Sequence, residues 1–243
     1  KTGKKKGGIK VHTVIHANEG VPSDIKFTSA ATNDSFMLRP SALNKGDIIT
    51  MDRAYIDYEK LETLTQREVL YVTKMKKNLK YNIIEDCMYQ TDKGLMEVRI
   101  QNVTFSKMLK DGTIMIHHAR IITYVDIKKH KLVSLLTNDM ESDPHEIIEI
   151  YRKRWEIELL FKQIKQNFPL KYFYGESANA IKIQFWVTLI ANLLLMVMKT
   201  GLNRSWSFSG LATMMRITLM YYMDFYSLFN HLEKDWKTLL YVN

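Results

Sequence analysis

The order of strand and helix patterns between residues 9 and 75 restricts the possible folds more than any other feature. Residues 9–16 alternate between apolar and polar side chains like a strand, Asn18-Glu-Gly20 is a turn signal, and residues 21–29 have the pattern of a returning strand. The patterns that follow predict a helix at 33–43 capped by Asn33 or Asp34, a strand at 46–51, a helix at 55–68 and a strand at 70–75. Elements in this order predict a mixed α/β sheet.

The pattern then changes, first to short β-like runs and later to helices. Residues 79–138 contain several such runs with little helical period, and Asp111-Gly112 is a candidate hairpin turn. Asp143-Pro144 is a favourable helix start, and helical spacing dominates from there to the C-terminus. We therefore expect three segments: the first part of an α/β core at 1–78, a β-rich insertion at 79–139, and a helical part of the core at 140–243.

The charge and the cysteine content limit the possible partners and the environment. Lysine and arginine outnumber aspartate and glutamate by 35 to 26, and the net charge of +9 suits an anionic partner such as nucleic acid. The single cysteine, Cys87, excludes an internal disulfide and a cysteine-based zinc cluster, which favours a reducing, intracellular setting. The sequence has no initiator methionine and opens in a loop pattern, as expected of a piece of a longer protein.

The most apolar stretch, residues 183–198, is interrupted by Gln184, Thr188 and Asn192. It is shorter than the ~18–20 residues expected of a membrane-spanning helix, so we expect a buried core helix and no membrane association. The segment 214–225, rich in methionine and aromatic residues, is most simply interpreted as helix core as well.

Residues 147–165 have the spacing of one helix, and this helix would carry an unusual charged face. At about 100° per residue, positions seven apart lie within about 20° of one another. The face then contains one tyrosine, one acid and three cations, namely Tyr151, Glu158, Arg154, Lys162 and Lys165. A helix-stabilising pair between Arg154 and Glu158 is the simpler interpretation, but it leaves the tyrosine and the other cations unexplained.

Asp52 follows a short apolar strand and precedes a predicted helix. A carboxylate in that position is at the end of the strand where open α/β sheets bind ligands. An aspartate that merely caps a turn or a helix is the other interpretation, and the strand pattern alone favours it.

The segments Met51-Asp-Arg-Ala-Tyr55 and Tyr151-x-x-Arg154-x-x-x-Glu158-x-x-x-x-x-x-Lys165 together resemble the Asp-Asp-Glu transposases of the Insertion Sequence 4 group. Those proteins carry a Tyr-Arg-Glu-Lys pattern with this spacing on the helix that bears the catalytic glutamate. Lys6-Gly-Gly-Ile-Lys-Val-His12 and Leu136-Thr-Asn138 are also similar to the family, so the resemblance covers nearly the whole chain in the same order.

The resemblance implies a ribonuclease H-like fold with a β-rich insertion before the last catalytic helix. It also implies three carboxylates that hold two divalent cations, Mg²⁺ or Mn²⁺, with Asp52 as the second carboxylate and Glu158 as the third. By the same resemblance the cations of the charged face, Arg154, Lys162 and Lys165, would contact DNA phosphates, and Tyr151 would add a hydroxyl or stacking contact.

The first aspartate of the family lies on a strand that precedes the hairpin, and this sequence begins after that strand. Asp24, Asp34, Asp47 and Asp57 occupy other positions, so the sequence assigns none of them to this role. We therefore expect that the chain by itself does not catalyse strand transfer.

The resemblance further implies a bacterial cytoplasmic protein, associated with the nucleoid when bound to DNA. Its partners would be the transposon ends and a target DNA, bound by a homodimer. Two alternatives stay open from the sequence: a nuclease of the same fold that only hydrolyses DNA, and an inactive remnant that binds DNA or a partner.

Two further groups of residues carry weaker signals. His12, His16, His117 and His118 lack metal-ligand spacing, and adjacent histidines on a strand would point to opposite faces. A basic run after the strand at 70–75 is either a solvated face or a track for the DNA backbone; it comprises Lys74, Lys76, Lys77 and Lys80.

Overall fold

The computed structural model describes residues 8–90, 97–126, 130–170, 172–219 and 229–230. The strands are β1 (Ile9–His16), β2 (Val21–Ser29), β3 (Ile48–Met51), β4 (Leu70–Lys74), β5 (Asn82–Gln90), β6 (Glu97–Met108), β7 (Ile114–Asp126) and β8 (Lys131–Thr137). The helices are α1 (Tyr58–Gln66), α2 (Pro144–Arg152), α3 (Trp155–Asn167), α4 (Ala178–Thr200) and α5 (Phe208–Thr218).

The first two strands form the predicted hairpin with the predicted ends. The turn closes on the carbonyl of His16, which accepts hydrogen bonds from the N–H groups of Glu19 and Gly20. Gly20 has a φ of 65°, a conformation that glycine adopts without steric cost. The hairpin is therefore confirmed, and the glycine explains where it turns.

The prediction of a helix at 33–43 is wrong. The chain forms two short 3₁₀ turns instead, at Asp34–Met37 and Pro40–Ala42. Pro40 lacks an N–H and holds the preceding residue, Arg39, in extended conformation, which prevents one continuous helix. The predicted cap is confirmed, since the Asn33 side chain accepts a hydrogen bond from the N–H of Ser35.

A six-stranded mixed sheet is the main feature of the described chain, with the strand order β3-β4-β8-β7-β6-β5. Strands β3 and β4 are parallel, with Met51 opposite Thr73, and the other neighbours are antiparallel. The β-rich segment therefore continues the sheet that β3 and β4 begin. The predicted turn at Asp111-Gly112 is confirmed, because it joins β6 to β7 and Gly112 has a φ of 85°.

Helices cover both faces of this sheet. On one face Leu61 and Leu64 of α1 are fully buried in a cluster that contains Tyr71 of β4. On the other face Ile147 and Ile148 of α2 pack in a cluster that contains Val72, the next residue of β4. Each fully buried aliphatic side chain contributes roughly 1.5–3 kcal/mol to folding, so both clusters help to hold β4 at the centre of the core.

Asn138, the last residue of the Leu136-Thr-Asn138 motif, ties β4 to the end of α1. Its Oδ1 accepts from the N–H of Tyr71 at 2.9 Å, and its Nδ2 donates to the Thr65 hydroxyl at 3.0 Å and to the Val69 carbonyl at 2.9 Å. An aspartate could not make the two donor contacts. The motif thus has a structural explanation in this chain.

The chain divides into two compact units. One comprises Lys1–His12 and Thr28–Trp155, and the other comprises Thr13–Phe27 and Glu156–Asn243. The first contains the six-stranded sheet with α1 and α2, and the second contains almost all of α3 together with α4 and α5. The segment boundaries at 78 and 139 stay predictions.

The expectation of a buried core helix at 183–198 holds for one face of α4 only. Phe185, Leu189 and Leu195 are buried, whereas the opposite face is more than half exposed. The exposed apolar side chains are Ile183, Val187, Ile190, Leu194 and Val197. By length and composition alone, α4 is the one helix of the described chain that could cross a membrane.

Helix α5 packs as the sequence predicts. Leu211 is fully buried beside Leu195 of α4, and Met214 and Met215 pack against the same cluster. The methionine and aromatic residues between 220 and 225 lie outside the described residues.

Candidate functional site

Asp52 is the first residue after β3 and is exposed to solvent. Its Oδ1 accepts a hydrogen bond from the N–H of Ala54 at 2.9 Å, so it also caps the 3₁₀ turn Arg53–Tyr55. Both interpretations of the sequence therefore describe real features of this residue. It caps a turn, and it lies at the C-terminal end of a strand that is parallel to its neighbour β4.

The backbone around Asp52 indicates which face of the sheet its side chain takes. With φ −71° and ψ 149°, Asp52 continues the extended chain of β3, in which alternate residues point to opposite faces. Met51 faces the core that contains α1. Asp52 is therefore expected on the other face, which α2 covers.

His12 fixes the turn after Asp52 to the hairpin. Its Nδ1 lies 3.0 Å from the hydroxyl of Tyr55, and its Nε2 lies 2.8 Å from the hydroxyl of Thr28. Burial lowers the pKa of His12, and the negative charge of Asp34 partly offsets this effect. A neutral imidazole with one donor and one acceptor nitrogen suits two hydroxyl partners. No local sequence pattern indicates this contact, because 43 residues separate His12 from Tyr55.

Tyr55 lies in a negatively charged environment. Burial raises the pKa of Tyr55, and the charges of Asp34 and Asp52 raise it further. Asp34 itself pairs with Lys10 at 2.8 Å, and the same ammonium donates to the Thr32 carbonyl at 2.9 Å. Asp52 and the residues around it thus combine carboxylates with a neutral tyrosine hydroxyl.

The four aspartates that the sequence left unassigned all have hydrogen-bond or ion-pair partners. Asp24 and Asp34 form ion pairs with lysines at 2.7 and 2.8 Å. Asp57 caps α1 by accepting from the N–H of Glu59, and Asp47 accepts from the N–H of Asn44 at 2.7 Å. These contacts explain the four residues without a role in metal binding.

The prediction of one continuous helix from 147 to 165 is wrong. Helix α2 ends at Arg152, and α3 begins at Trp155. At the junction the N–H of Arg154 bonds to the carbonyl of Tyr151 at 3.1 Å, three residues back, which tightens the turn relative to an α-helix. The single charged face extending from Tyr151 to Lys165 is therefore corrected to two shorter groups.

The first group consists of Tyr151 and Arg154. Tyr151 is partly buried and packs against the α2 side of the sheet core. The guanidinium carbon of Arg154 lies 5.6 Å from the centre of the Tyr151 ring, a cation–π distance. The core thus orients the tyrosine, and the tyrosine ring orients the arginine.

The second group lies on α3. Glu158, Lys162 and Lys165 line one surface depression together with Phe161 and Gln166. The part of the predicted charged face that lies within α3 is therefore confirmed. On the opposite side of this helix Leu160 and Ile164 are buried.

Helix α4 holds α3 through a polar and an aromatic contact. The Gln163 amide donates to Oδ1 of Asn192, which is fully buried, at 2.8 Å. The rings of Phe161 and Phe185 lie 6.4 Å apart, at a distance typical of interacting aromatic pairs. Glu158 is thus presented by a helix that is anchored on its neighbour.

The carboxylates of Asp52 and of Glu158 are each the type of ligand that a divalent cation takes. Hard cations prefer oxygen ligands, and a carboxylate offers about four lone-pair sites, so the bond from Ala54 leaves Asp52 with further capacity. Within the described ranges, no three or more His, Cys, Asp or Glu side chains are grouped so that they could hold a metal.

The basic run begins with Lys74, the last residue of β4. Because Met51 and Thr73 are partners in the parallel pair, Asp52 and Lys74 each come one residue later, at the same end of the two strands. Lys77 and Lys80 are exposed. The interpretation of this run as a track for the DNA backbone stays a prediction.

The two adjacent histidines point to opposite faces of β7, as predicted, with His117 fully buried and His118 exposed. His117 lies between two partners, with Nε2 2.7 Å from the Tyr71 hydroxyl and Nδ1 2.8 Å from a Glu62 carboxylate oxygen. Burial lowers the pKa of His117, and Glu62 offsets part of this shift. Sequence reasoning missed this buried network, which lies in the α1 side of the core.

Comparison with known proteins identifies the family. The family described as Transposase DDE domain matches residues 1–194, a range that contains Asp52, the Tyr151–Arg154 pair and the charged face of α3. The Sinorhizobium fredii protein y4zB, named as a transposase, is 28% identical over 197 residues, which are 81% of this chain and 55% of that protein.

Two further relatives are named as transposases of insertion sequence elements. That of IS5377 from Geobacillus stearothermophilus is 23% identical over 79% of this chain and 49% of its own length. That of IS4SA from Synechocystis is 26% identical over 77% of this chain and 52% of its own length. The chain spans about half the length of the curated relatives it matches. The resemblance predicted from the sequence is confirmed, and the chain belongs to the transposase DDE domain family.

Proposed function

We propose that this chain is the catalytic core of a DNA transposase that cuts the ends of its own mobile element and joins them to a target. The family to which it belongs implies DNA cleavage and strand transfer. The observation that carries the proposal for this chain is the position of Asp52, an exposed carboxylate at the C-terminal end of β3 in a parallel pair. Open α/β sheets bind their ligands at that end of the strands.

The proposed core has a ribonuclease H-like fold. A mixed sheet with a helix packed on each face supports this proposal. In such a fold the four strands from β5 to β8 would correspond to the β-rich insertion that precedes the last catalytic helix. The charged face of that helix would then lie on α3.

In the proposed site Asp52 and Glu158 supply the second and third carboxylates for two divalent cations, Mg²⁺ or Mn²⁺. When bound, such cations activate the attacking oxygen and neutralise charge on the leaving oxygen. The two side chains contribute oxygen ligands, which hard cations prefer. The Ala54 N–H restrains the Asp52 carboxylate, and the packing of α3 against α4 restrains Glu158.

Phosphate binding is proposed for the cations close to these carboxylates in the sequence. The guanidinium of Arg154 lies over the Tyr151 ring, and a guanidinium held in this way binds phosphate oxygens with a fixed geometry. Lys162 and Lys165 line the same depression as Glu158, so a phosphate beside that carboxylate would meet two ammonium groups. The proposed partners are the transposon ends and a target DNA, bound by a homodimer in the bacterial cytoplasm.

A transposition assay with the full-length protein tests this function. Incubation with Mg²⁺ and a plasmid that carries the mobile element is expected to release the element and to produce joined strands, visible by gel electrophoresis. Nicked DNA without joined products would replace the proposal with a hydrolytic nuclease. DNA binding without any cleavage, in Mg²⁺ or Mn²⁺, would identify an inactive remnant.

A further inference from the structure

Two tyrosines that follow α3 are unusually exposed. Tyr172 is 79% exposed and Tyr174 is 88% exposed, and Phe173 between them is 47% exposed. Large aromatic side chains are normally buried over most of their surface, and a contiguous exposed patch of them marks a binding surface more often than an isolated residue does. We call residues 172–174 the aromatic segment.

The backbone of the aromatic segment is held in place by one side chain. Oε1 of Gln184 accepts from the N–H of Tyr174 at 3.0 Å. Its Nε2 donates to the carbonyls of Pro169 and Tyr172 at 3.1 and 2.8 Å. Because this shape exists before any ligand arrives, little conformational entropy is lost on binding.

The glycine after the aromatic segment packs closely on the start of α4. A Cβ at Gly175 would lie 2.6 Å from that of Ala180, which is too close for any other residue type without movement. This contact adds a second restraint. The exposed rings therefore belong to a segment with a defined backbone.

Cations lie beside the aromatic segment. Tyr172 lines a depression together with Lys165 and Arg216, and Arg216 also donates a hydrogen bond to the Asn167 carbonyl. Lys165 lines the neighbouring depression that contains Glu158 as well. A continuous surface thus leads from the Glu158 carboxylate past positive charges to exposed aromatic rings.

A ligand that suits this surface carries negative charges and flat rings. Single-stranded nucleic acid has both, since its phosphates pair with cations and its bases stack on aromatic faces. In an intact duplex the faces of the bases are already stacked on one another and are not accessible to a protein ring. An acidic peptide would supply the charge but not the regularly spaced rings.

We propose that the aromatic segment is a stacking platform for unpaired bases of a DNA strand whose phosphates lie along Lys165 and Arg216. The inference rests on the proposed function and adds a preference for unpaired bases to it. It assigns Tyr172 and Tyr174 a binding role and Gln184 a positioning role.

Fluorescence anisotropy with labelled DNA tests this proposal. The probes are a single-stranded oligo(dT) of about 20 nucleotides and a blunt duplex of the same length, long enough for one binding site. The double variant Tyr172→Ala/Tyr174→Ala is expected to bind oligo(dT) about tenfold or more weakly, and the duplex within about twofold of the unaltered chain. Tyr172→Phe/Tyr174→Phe keeps the ring faces and is expected to retain oligo(dT) binding. Phe36→Ala, a 71% exposed ring on a different part of the chain, is the matched control.

The outcomes separate this inference from the proposed function. If the alanine variant binds oligo(dT) as tightly as the unaltered chain, or loses duplex binding equally, the stacking platform is refuted while DNA binding stands. If the unaltered chain binds neither DNA, the proposed function fails as well. If the alanine variant shifts the oligomeric state in light scattering without DNA, the segment contacts a second copy and the proposal is wrong. Circular dichroism melting curves confirm that each variant is folded.

Discussion

The hydroxyl of Tyr55 lies 3.0 Å from Nδ1 of His12, and this contact joins the N-terminal hairpin to the turn that carries Asp52. The other nitrogen of His12 reaches Thr28 on the second strand of the hairpin. The imidazole therefore bridges three separate segments. It restrains the position of the turn from which the Asp52 carboxylate leaves the sheet.

Tyr55→Phe tests this bridge. The substitution keeps the ring but leaves Nδ1 of the buried His12 without its partner, so we expect a loss of about 1–2 kcal/mol in the free energy of unfolding. Urea denaturation followed by circular dichroism measures the change. Tyr174→Phe removes a hydroxyl from an 88% exposed ring and should leave the stability unchanged. Equal stability of the two variants would show that the bridge contributes nothing.

Asn138→Ala removes the three hydrogen bonds that tie β4 to the end of α1. The Tyr71 N–H and the Val69 carbonyl would lose a partner in a largely buried position, so we expect a loss of about 2–3 kcal/mol. Denaturant titration of this variant beside Asn78→Ala, at an exposed position, gives the comparison. A loss below about 0.5 kcal/mol, as at ordinary surface sites, would contradict the structural role of the motif.

The buried His117 should make the stability depend on pH. Its pKa is lowered by burial, so the folded chain binds the proton less readily than the unfolded chain, whose histidines titrate near 6.5. The stability contributed by neutral His117 is present above that value and is lost as the pH falls through the lowered pKa. Burial lowers the pKa of His12 too, and its contribution has the same sign.

Urea unfolding at about pH 7.5 and about pH 5.5 measures this dependence, since the two values lie on either side of the ordinary histidine pKa. We expect lower stability at the lower pH and a smaller difference in His117→Gln. His118→Gln, on the exposed face of the same strand, leaves the buried contacts of His117 in place and should keep most of the difference. An unchanged pH dependence in His117→Gln would exclude its buried imidazole as the source.

Lys162→Ala and Lys165→Ala test the phosphate contacts proposed for α3. Each lysine that releases a counterion from DNA adds about 0.9 to the slope of log affinity against log salt concentration. We therefore expect each variant to weaken duplex binding and to reduce the slope by roughly one. Lys45→Ala, whose ammonium pairs with Glu68 at 2.6 Å, is the control. An unchanged slope for both α3 variants would remove these lysines from the DNA interface.

Local signals decided which parts of the fold could be predicted. The ends of β1 and β2 were predicted correctly, because alternation and the turn glycine lie within a few residues of each other. The helix at 33–43 was wrong because Pro40 overrides the spacing of the apolar residues. The break between α2 and α3 had no such signal, since Lys153 and Arg154 are both compatible with a helix.

The site was predictable to the extent that its residues lie close together in the sequence or follow the family pattern. Glu158, Lys162 and Lys165 share one helix, and their common face was confirmed. The contacts of His12 with Tyr55 and of His117 with Glu62 join residues that are 43 and 55 positions apart, so no local pattern indicates them. The assignment of Asp52 and Glu158 to one metal site came from the family resemblance and stays a prediction.

Strand transfer by the full-length protein carrying Asp52→Asn or Glu158→Gln tests the central claim most directly. An asparagine at position 52 keeps the oxygen that accepts a hydrogen bond from the Ala54 N–H. Both amide substitutions remove the charged oxygen that a cation requires, so each variant should lose at least about a hundredfold in joined product. Asp57→Asn preserves the cap of α1, and Glu156→Gln alters a neighbouring carboxylate on α3; both should stay within about twofold of the unaltered protein. Strand transfer at the unaltered rate in Asp52→Asn or Glu158→Gln would contradict the proposed site.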